Sequence, residues 1–356
     1  ERAGGGRVCG AGSAMLPCRA RTLVVGCIMS AQLDLARGVA ATRSYHIGTP
    51  GTPWAEQEVE QWQAQFRTPK RLYAEEVLAK VEVLRGKFEV TQYGALPYDP
   101  ERYPLFSIRT RSWDALKPCV LVTGGVHGYE TSGVQGALRF LEKEAARFAE
   151  YFNILVAPCV SPWGYEHIQR WNFNAVDPNR SFKPEGVAEE AQALRRHLEA
   201  LGVSSWLCHI DLHETTDTDE TEFRPAKAAR DGEEYKPDTI PDGFYLVGDS
   251  KHPKSDWYSA ILASVNKVTH IAPPDENGNI IGERMVQPGV ILLDATPLGL
   301  CASTTNALYA TTTEVYPDSA NATDEQCNDA QVAAVVGALE HIMHAEGIGD
   351  EKEELQ

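Results

Sequence analysis

Basic residues are scarce in this chain of 356 residues: 33 Lys and Arg stand against 50 Asp and Glu, a formal net charge of -17. That balance leaves no broad cationic face for a phosphate backbone and argues against nucleic acid as a partner. Long apolar runs are also missing. None approaches the roughly 20 residues that span a bilayer, so no membrane partner is expected. The eight cysteines, at 9, 18, 27, 119, 159, 208, 301 and 327, contain no CxxC pair, and five of them fall beyond residue 27. This argues against a disulfide framework. Cys119, Cys159 and Cys208 lie in or beside apolar runs and read as reduced core thiols.

What is present suffices for a globular body. Apolar residues make up 43% of the chain, enough for one large domain or two smaller ones. The first 33 residues differ from the rest: Arg2, Arg7, Arg19 and Arg21 face a single acid, Glu1. An Arg-rich, acid-poor stretch fits organelle import, a short apolar run at 23–29 also permits a secretory signal, and a plain extension is the alternative. We therefore expect a leader over 1–45, a catalytic domain over 46–346 and an acidic tail over 347–356. An intracellular location, cytoplasmic or mitochondrial, is expected ahead of secretion.

Apolar periodicity predicts strands over 87–93, 103–110, 119–125, 152–158, 206–212, 244–248 and 308–315. Helical spacing falls at 54–66, 72–84, 134–141, 185–201, 256–268 and 324–345. Strands alternating with helices predict an α/β fold with a mostly parallel sheet.

The most informative stretch is His127-Gly128-Tyr129-Glu130, placed where the 119–125 strand hands over to a helix. A His in that turn and a Glu in the first helical turn can converge on one ion at the carboxyl end of a strand, where open α/β sheets place their sites. Zinc accepts imidazole nitrogen and carboxylate oxygen, and a catalytic site needs three protein ligands and a water. His209-Ile210-Asp211-Leu212-His213 ends another strand. Alternation puts His209, Asp211 and His213 on one face. His213 is best placed to be the third ligand, Asp211 to orient a ligand from behind, and His209 to be a hydrogen-bonded core residue. Taken alone, His213 reads first as a structural or surface histidine, given how little a single histidine specifies.

His127-x-x-Glu130 followed by a strand-ending His213 resembles the zinc carboxypeptidase family, the carboxypeptidase A-like enzymes. Arg170-Trp171-Asn172, followed by Asp177-Pro178-Asn179-Arg180, is similar to that family's Arg-x-Asn and Asp-x-Asn-Arg block. Ala310-Thr311-Thr312-Thr313-Glu314-Val315 resembles the strand bearing its catalytic glutamate. The motifs stand in the family's order from about residue 118 to 316. The resemblance implies a single three-layer α/β domain, a mixed sheet of about eight strands flanked by helices. It also implies one Zn2+ per chain, held by His127, Glu130 and His213.

The chemistry fits those residue types. A carboxylate must take a proton from water, and Glu314 is the candidate base. A developing oxyanion needs a fixed cation, which Arg170 can supply. A substrate carboxylate needs a planar donor, which Arg180 provides with Asn179 beside it. Other roles stay open for these residues: a solvated strand position for Glu314, a loop ion pair with Asp177 for Arg180, a surface charge for Arg170.

Two departures bear on substrate. The stretch before Glu314 has no tyrosine where the family's carboxypeptidases place one on a mobile loop; Tyr309 is too near along the strand, and Tyr245 is a guess. Asp211-Leu212-His213-Glu214-Thr215-Thr216 also resembles the aspartoacylase and succinylglutamate desuccinylase branch. The leading expectation is a metallocarboxypeptidase acting on a peptide with a free carboxylate. The second is an N-acyl amino acid amidohydrolase, and the third an inactive binding module on the same scaffold. The acidic run Asp217, Asp219, Glu220 and Glu222 reads as a solvated loop.

Overall fold

The structure, a computed structural model, describes residues 45–349 except Ser112. The expected leader, apart from its last residue, and the end of the acidic tail lie outside the described residues. No helix among the described residues is long and apolar enough to cross a membrane.

Eight strands form one sheet: β1 (Glu89–Ala95), β2 (Pro104–Arg109), β3 (Cys119–Gly124), β4 (Asn153–Ala157), β5 (Trp206–Glu214), β6 (Tyr245–Asp249), β9 (Val290–Leu293) and β10 (Tyr309–Val315). The two-residue strands β7 (Asn279–Ile280) and β8 (Glu283–Arg284) pair separately. The order is β1-β2-β4-β3-β5-β10-β6-β9. The central pairs β4–β3, β3–β5 and β5–β10 are parallel, as is β6–β9, while β1–β2, β2–β4 and β10–β6 are antiparallel. This is the mixed, mostly parallel α/β sheet expected.

Burial on both faces explains the continuous apolar runs of the central strands. Val120, Val122, Ile210 and Leu212 belong to the larger core cluster, with residues of the Thr131–Lys143, Ser255–Val265 and Asp324–Ala345 helices. Leu121 and Leu155 point the other way, into a cluster with Leu194 and Leu198 of the Glu189–Ala200 helix. At roughly 25 cal/mol per Å² of apolar surface, each such side chain contributes about 1.5–3 kcal/mol when buried. Cys119, Cys159, Cys208, Cys301 and Cys327 are buried free thiols, as their apolar settings suggest.

Several boundaries differ from expectation. The 54–66 helix contracts to Glu56–Gln63, and the 72–84 segment opens as a π turn, Ala74–Leu78, before its α portion Ala79–Leu84. The edge strand β9 is absent from the periodicity reading because a four-residue run gives too few residues to set a period. The Arg224–Asp231 helix also escapes that reading, although it carries a proline in its first turn and Gly232 as a left-handed C-cap.

Candidate metal centre

β3 ends at Gly124, and Gly125 follows with φ of 61°, a conformation that costs glycine little. The chain then turns through His127 and Gly128 into the Thr131–Lys143 helix, with Glu130 at its N-cap, one position before the first turn. A Cβ at Gly128 would meet the Gly164 carbonyl carbon and the Tyr165 nitrogen at 2.1 Å, so this turn accepts no side chain. Arg71 clamps the turn from outside. Its guanidinium donates to the Tyr165 carbonyl at 2.6 Å, Thr131 Oγ1 at 2.7 Å and the Gly128 carbonyl at 2.9 Å, with its Cζ 3.5 Å above the Tyr165 ring.

The helix start is tied to β5 by Glu214, which accepts the Ser132 N–H at 2.6 Å. Gln331 of the long C-terminal helix donates to the His213 carbonyl at 2.8 Å and accepts from Thr313 Oγ1 at 2.6 Å. Loop, helix and two strands are thus fixed to one another around the end of β5.

His127, Glu130 and His213 come together here, each offering one ligand atom within 4.8 Å of the others, and all three are buried. His127 Nδ1 lies 2.7 Å from Glu130 Oε1, and His213 Nδ1 lies 2.7 Å from Oε2. The opposite ring nitrogens face carboxylates: His213 Nε2 is 2.7 Å from Asp211 Oδ2, and His127 Nε2 is 3.1 Å from Asp177 Oδ1.

That arrangement fixes the chemistry of the donor set. An ionised carboxylate only accepts, so Asp211 and Asp177 each place the ring proton on Nε2 and leave an Nδ1 lone pair facing Glu130. Two lone pairs and a carboxylate crowded at 2.7 Å repel unless a cation stands among them. Glu130 Oε2 is buried with His213 Nδ1 as its near neighbour at 2.7 Å, a contact outside ordinary hydrogen-bond geometry. Burial pushes the Glu130 carboxyl up, but His213 and His127 override it and hold it down to about 2. For His213 burial works downward, while Asp211 and Glu130 win and raise it well above the imidazole range, so that a proton competes with a metal for Nδ1. Both shifts report a pocket built for positive charge. Two imidazole nitrogens and a carboxylate form a donor set suited to zinc.

Asp211 is the orienting residue expected, and Thr123 Oγ1 on β3 donates to its other oxygen at 2.6 Å. His209 is the core histidine expected, held between Thr123 and Thr305 hydroxyls at 3.1 and 3.2 Å. Burial lowers its pKa to about 4, so it is neutral near pH 7.

A cavity of about 280 Å³ opens beside His127 and Glu130, lined also by Arg170, Asn179, Arg180, Tyr245 and Glu314. Of the site residues singled out from the sequence, His127, Glu130, Arg170, Asn179, Arg180 and Glu314 line this cavity and the buried His213 does not, and not all of them are free. Glu314 is brought in by register, as the direct partner of His213 across the parallel β5–β10 pair. Its Oε2 accepts from Thr215 Oγ1 at 2.9 Å. Arg170 uses Nε on Asp177 at 3.3 Å, and Nη1 on Asp219 at 3.2 Å and on the Tyr129 hydroxyl at 3.4 Å. Its Nη2 keeps its donors, having no hydrogen-bond partner among the described residues. Asn179 is buried; its Oδ1 accepts the Cys301 N–H at 2.7 Å and its Nδ2 lies 3.4 Å from His213 Nε2. Arg180 does not pair with Asp177. Its Nη1 donates to the Asn179 carbonyl at 2.7 Å, and it has no carboxylate within ion-pair distance among the described residues.

Three contributors carry more than the sequence assigns them. Asp177 enters there only as a motif member and a possible partner of Arg180, and Tyr129 only as a spacer. Asp219, read as part of a solvated loop, is buried; it accepts from Tyr129 Oη at 2.8 Å and from the Thr216 N–H at 2.8 Å. Tyr245 lines the cavity, whereas Tyr309 does not, its hydroxyl donating to Glu346 at 2.6 Å. The far wall, with Val247, Leu293, Leu298 and Leu300, is apolar.

Residues 87–249 match a family described as "Protein of unknown function (DUF2817)". No curated protein sequence matches the chain. Among solved structures, a candidate metallopeptidase from Shewanella amazonensis aligns with a TM-score of 0.56 at 19% identity, over 80% of this chain and 92% of its own. A metallo-carboxypeptidase from Burkholderia cenocepacia aligns at 0.51 with 14% identity, over 82% of this chain and 69% of its own. A metallo-carboxypeptidase from Pseudomonas aeruginosa, solved with (2-guanidinoethylmercapto)succinic acid, aligns at 0.51 with 16% identity, over 77% and 70%. The chain therefore has the fold of the metallo-carboxypeptidases.

Proposed function

We propose that the protein is a zinc-dependent metallocarboxypeptidase that hydrolyses the C-terminal peptide bond of a peptide substrate. The observation that carries this reading is the β5–β10 register, which pairs Glu314, a residue of the cavity wall, with the ligand His213. His127, Glu130 and His213 would hold one zinc per chain, which supplies Lewis-acid polarisation of a carbonyl and activation of water.

The remaining work falls to the chain's own residues. Glu314 takes a proton from water and returns it to the departing amine. Burial first, then Glu130, raises its carboxyl against the opposing pull of His213 and Thr215, the direction that makes a carboxylate a stronger base. Arg170, kept charged by Asp177 and Asp219, has Nη2 left to donate to the developing oxyanion. Arg180, free of any described carboxylate, receives the substrate's terminal carboxylate, with Asn179 shaping the wall beside it.

A second reading, an N-acyl amino acid amidohydrolase, uses the same groups, and the modest 280 Å³ cavity suits its small substrates. Blocked dipeptides, their C-terminal amides, and N-acetyl and N-succinyl amino acids separate the two when assayed side by side. The carboxypeptidase reading expects turnover of the free-carboxylate dipeptides, abolished by chelator and restored by zinc. Arg180→Ala should raise KM for those substrates about 10- to 150-fold, the value of a charged hydrogen bond of roughly 1.5–3 kcal/mol. It should leave the amides nearly unchanged. Turnover of the acyl amino acids alone would replace this reading with the second.

A further inference from the structure

We propose that Thr215 and Tyr245 are positioning residues that hold Glu314 in place as the base, through a hydrogen-bonded chain running Tyr245 to Thr215 to Glu314. The inference rests on the hydrolase reading above and adds two residues to it.

Three strands meet to build the chain. Tyr245 on β6 is the direct partner of Glu314 across the antiparallel β6–β10 pair. Thr215 follows the last residue of β5, and its N–H donates to the Val315 carbonyl at 3.0 Å, which pins its backbone against β10. The Tyr245 hydroxyl lies 2.7 Å from Thr215 Oγ1, which lies 2.9 Å from Glu314 Oε2.

Proton counting sets the direction. A threonine hydroxyl has one proton to give and two lone pairs to receive with. As a base Glu314 is ionised and only accepts, so in that state Thr215 donates to it and accepts from Tyr245. Tyr245 is fully buried, and burial together with Glu314 keeps its phenol protonated, well above the ordinary range. The donor at the head of the chain is therefore permanent. Oε2 of Glu314 is engaged this way, while Oε1 has no hydrogen-bond partner among the described residues and stays available to water. A glutamate has three rotatable side-chain torsions, and misplacing a reacting group by about 1 Å can cost on the order of 100-fold in rate. One directed hydrogen bond to Oε2 removes most of that freedom.

The test uses the zinc-loaded full chain and whichever substrate the panel identifies. Thr215→Val removes the hydroxyl at nearly constant shape, Thr215→Ser keeps it, and Tyr245→Phe removes only the head of the chain. Thr215→Val should lower kcat about 10- to 100-fold with KM changed less than about threefold, and Thr215→Ser should recover kcat to within about threefold of wild type. Tyr245→Phe should fall between them. A crystal structure of Thr215→Val should show the Glu314 carboxylate displaced from its wild-type position.

The proposal fails if Thr215→Val keeps wild-type kcat, if its loss lies in KM alone, if the serine variant is as impaired as the valine, or if Glu314 does not move. Should Thr215→Val not fold, Tyr245→Phe decides, and an unchanged kcat there overturns the proposal. An active wild type with indifferent variants sinks this inference only. A zinc-bound wild type inactive on the whole panel sinks the hydrolase reading and this inference with it.

Discussion

Asp177 holds His127 and Arg170 at once: Oδ1 lies 3.1 Å from the imidazole Nε2 and Oδ2 lies 3.3 Å from the guanidinium Nε. One carboxylate thereby orients a metal ligand and the candidate oxyanion donor. Asp177→Asn keeps the shape and removes the charge. We expect zinc affinity to fall about 10- to 100-fold, the usual cost of losing a ligand's orienting partner. Competition with a chelator measures this directly, and unchanged affinity would show that Asp177 serves Arg170 alone.

Arg71 reaches the metal turn from far earlier in the chain and closes it with three hydrogen bonds. A lysine cannot reproduce that planar fork. Arg71→Ala and Arg71→Lys should each destabilise the protein by about 2–4 kcal/mol, given roughly 1.5–3 kcal/mol for a hydrogen bond to a charged group and incomplete additivity. Chemical denaturation gives the value. Zinc affinity should fall with it, because the clamp holds the turn between His127 and Glu130.

Glu314→Gln keeps the Thr215 hydrogen bond and the fold while abolishing proton acceptance. Metal content should remain one zinc per chain, and kcat should drop about 10²- to 10⁴-fold, the contribution of a positioned acid–base group. A glutamine variant with wild-type turnover would move the base to another residue.

Glu190 offers a pH signature away from the metal. It is fully buried, accepting from Asn172 Nδ2 at 3.2 Å and from Ser161 Oγ at 3.3 Å. Burial raises its carboxyl from 4.5 to about 7, against the pull of those hydrogen bonds. The folded state then holds a proton that the unfolded state has released between about pH 4.5 and pH 7, so stability falls as pH rises through that window and levels off above it. Glu190→Gln should make this slope shallower by the share of Glu190, the buried Glu214 contributing in the same window, and stabilise the protein at pH 8 by up to roughly 3 kcal/mol, at about 1.4 kcal/mol per pKa unit. At pH 4 the two proteins should have nearly equal Tm.

The ligands were legible in the sequence for a local reason. His127 and Glu130 sit at a strand-to-helix junction, and His213 ends an alternating strand, so each signal lies within a few residues. Arg71, Asp219 and the Tyr245–Thr215 pair gave no such signal. The side-chain hydrogen bonds that seat them at the site span 30 to 99 residues, between Arg71 and Thr131, Tyr129 and Asp219, Thr215 and Tyr245, and Thr215 and Glu314, and nothing in a local window marks such a distant neighbour.

By itself the sequence determined the α/β alternation, the buried strands and the residue types able to hold a cation, because periodicity and donor chemistry are properties of short segments. Tertiary structure alone decided that Arg170 is shared between two carboxylates, that Arg180 pairs with none, and that Glu314 stands opposite His213. Those outcomes depend on strand order and register, which bring distant segments within hydrogen-bonding range and settle which charge meets which.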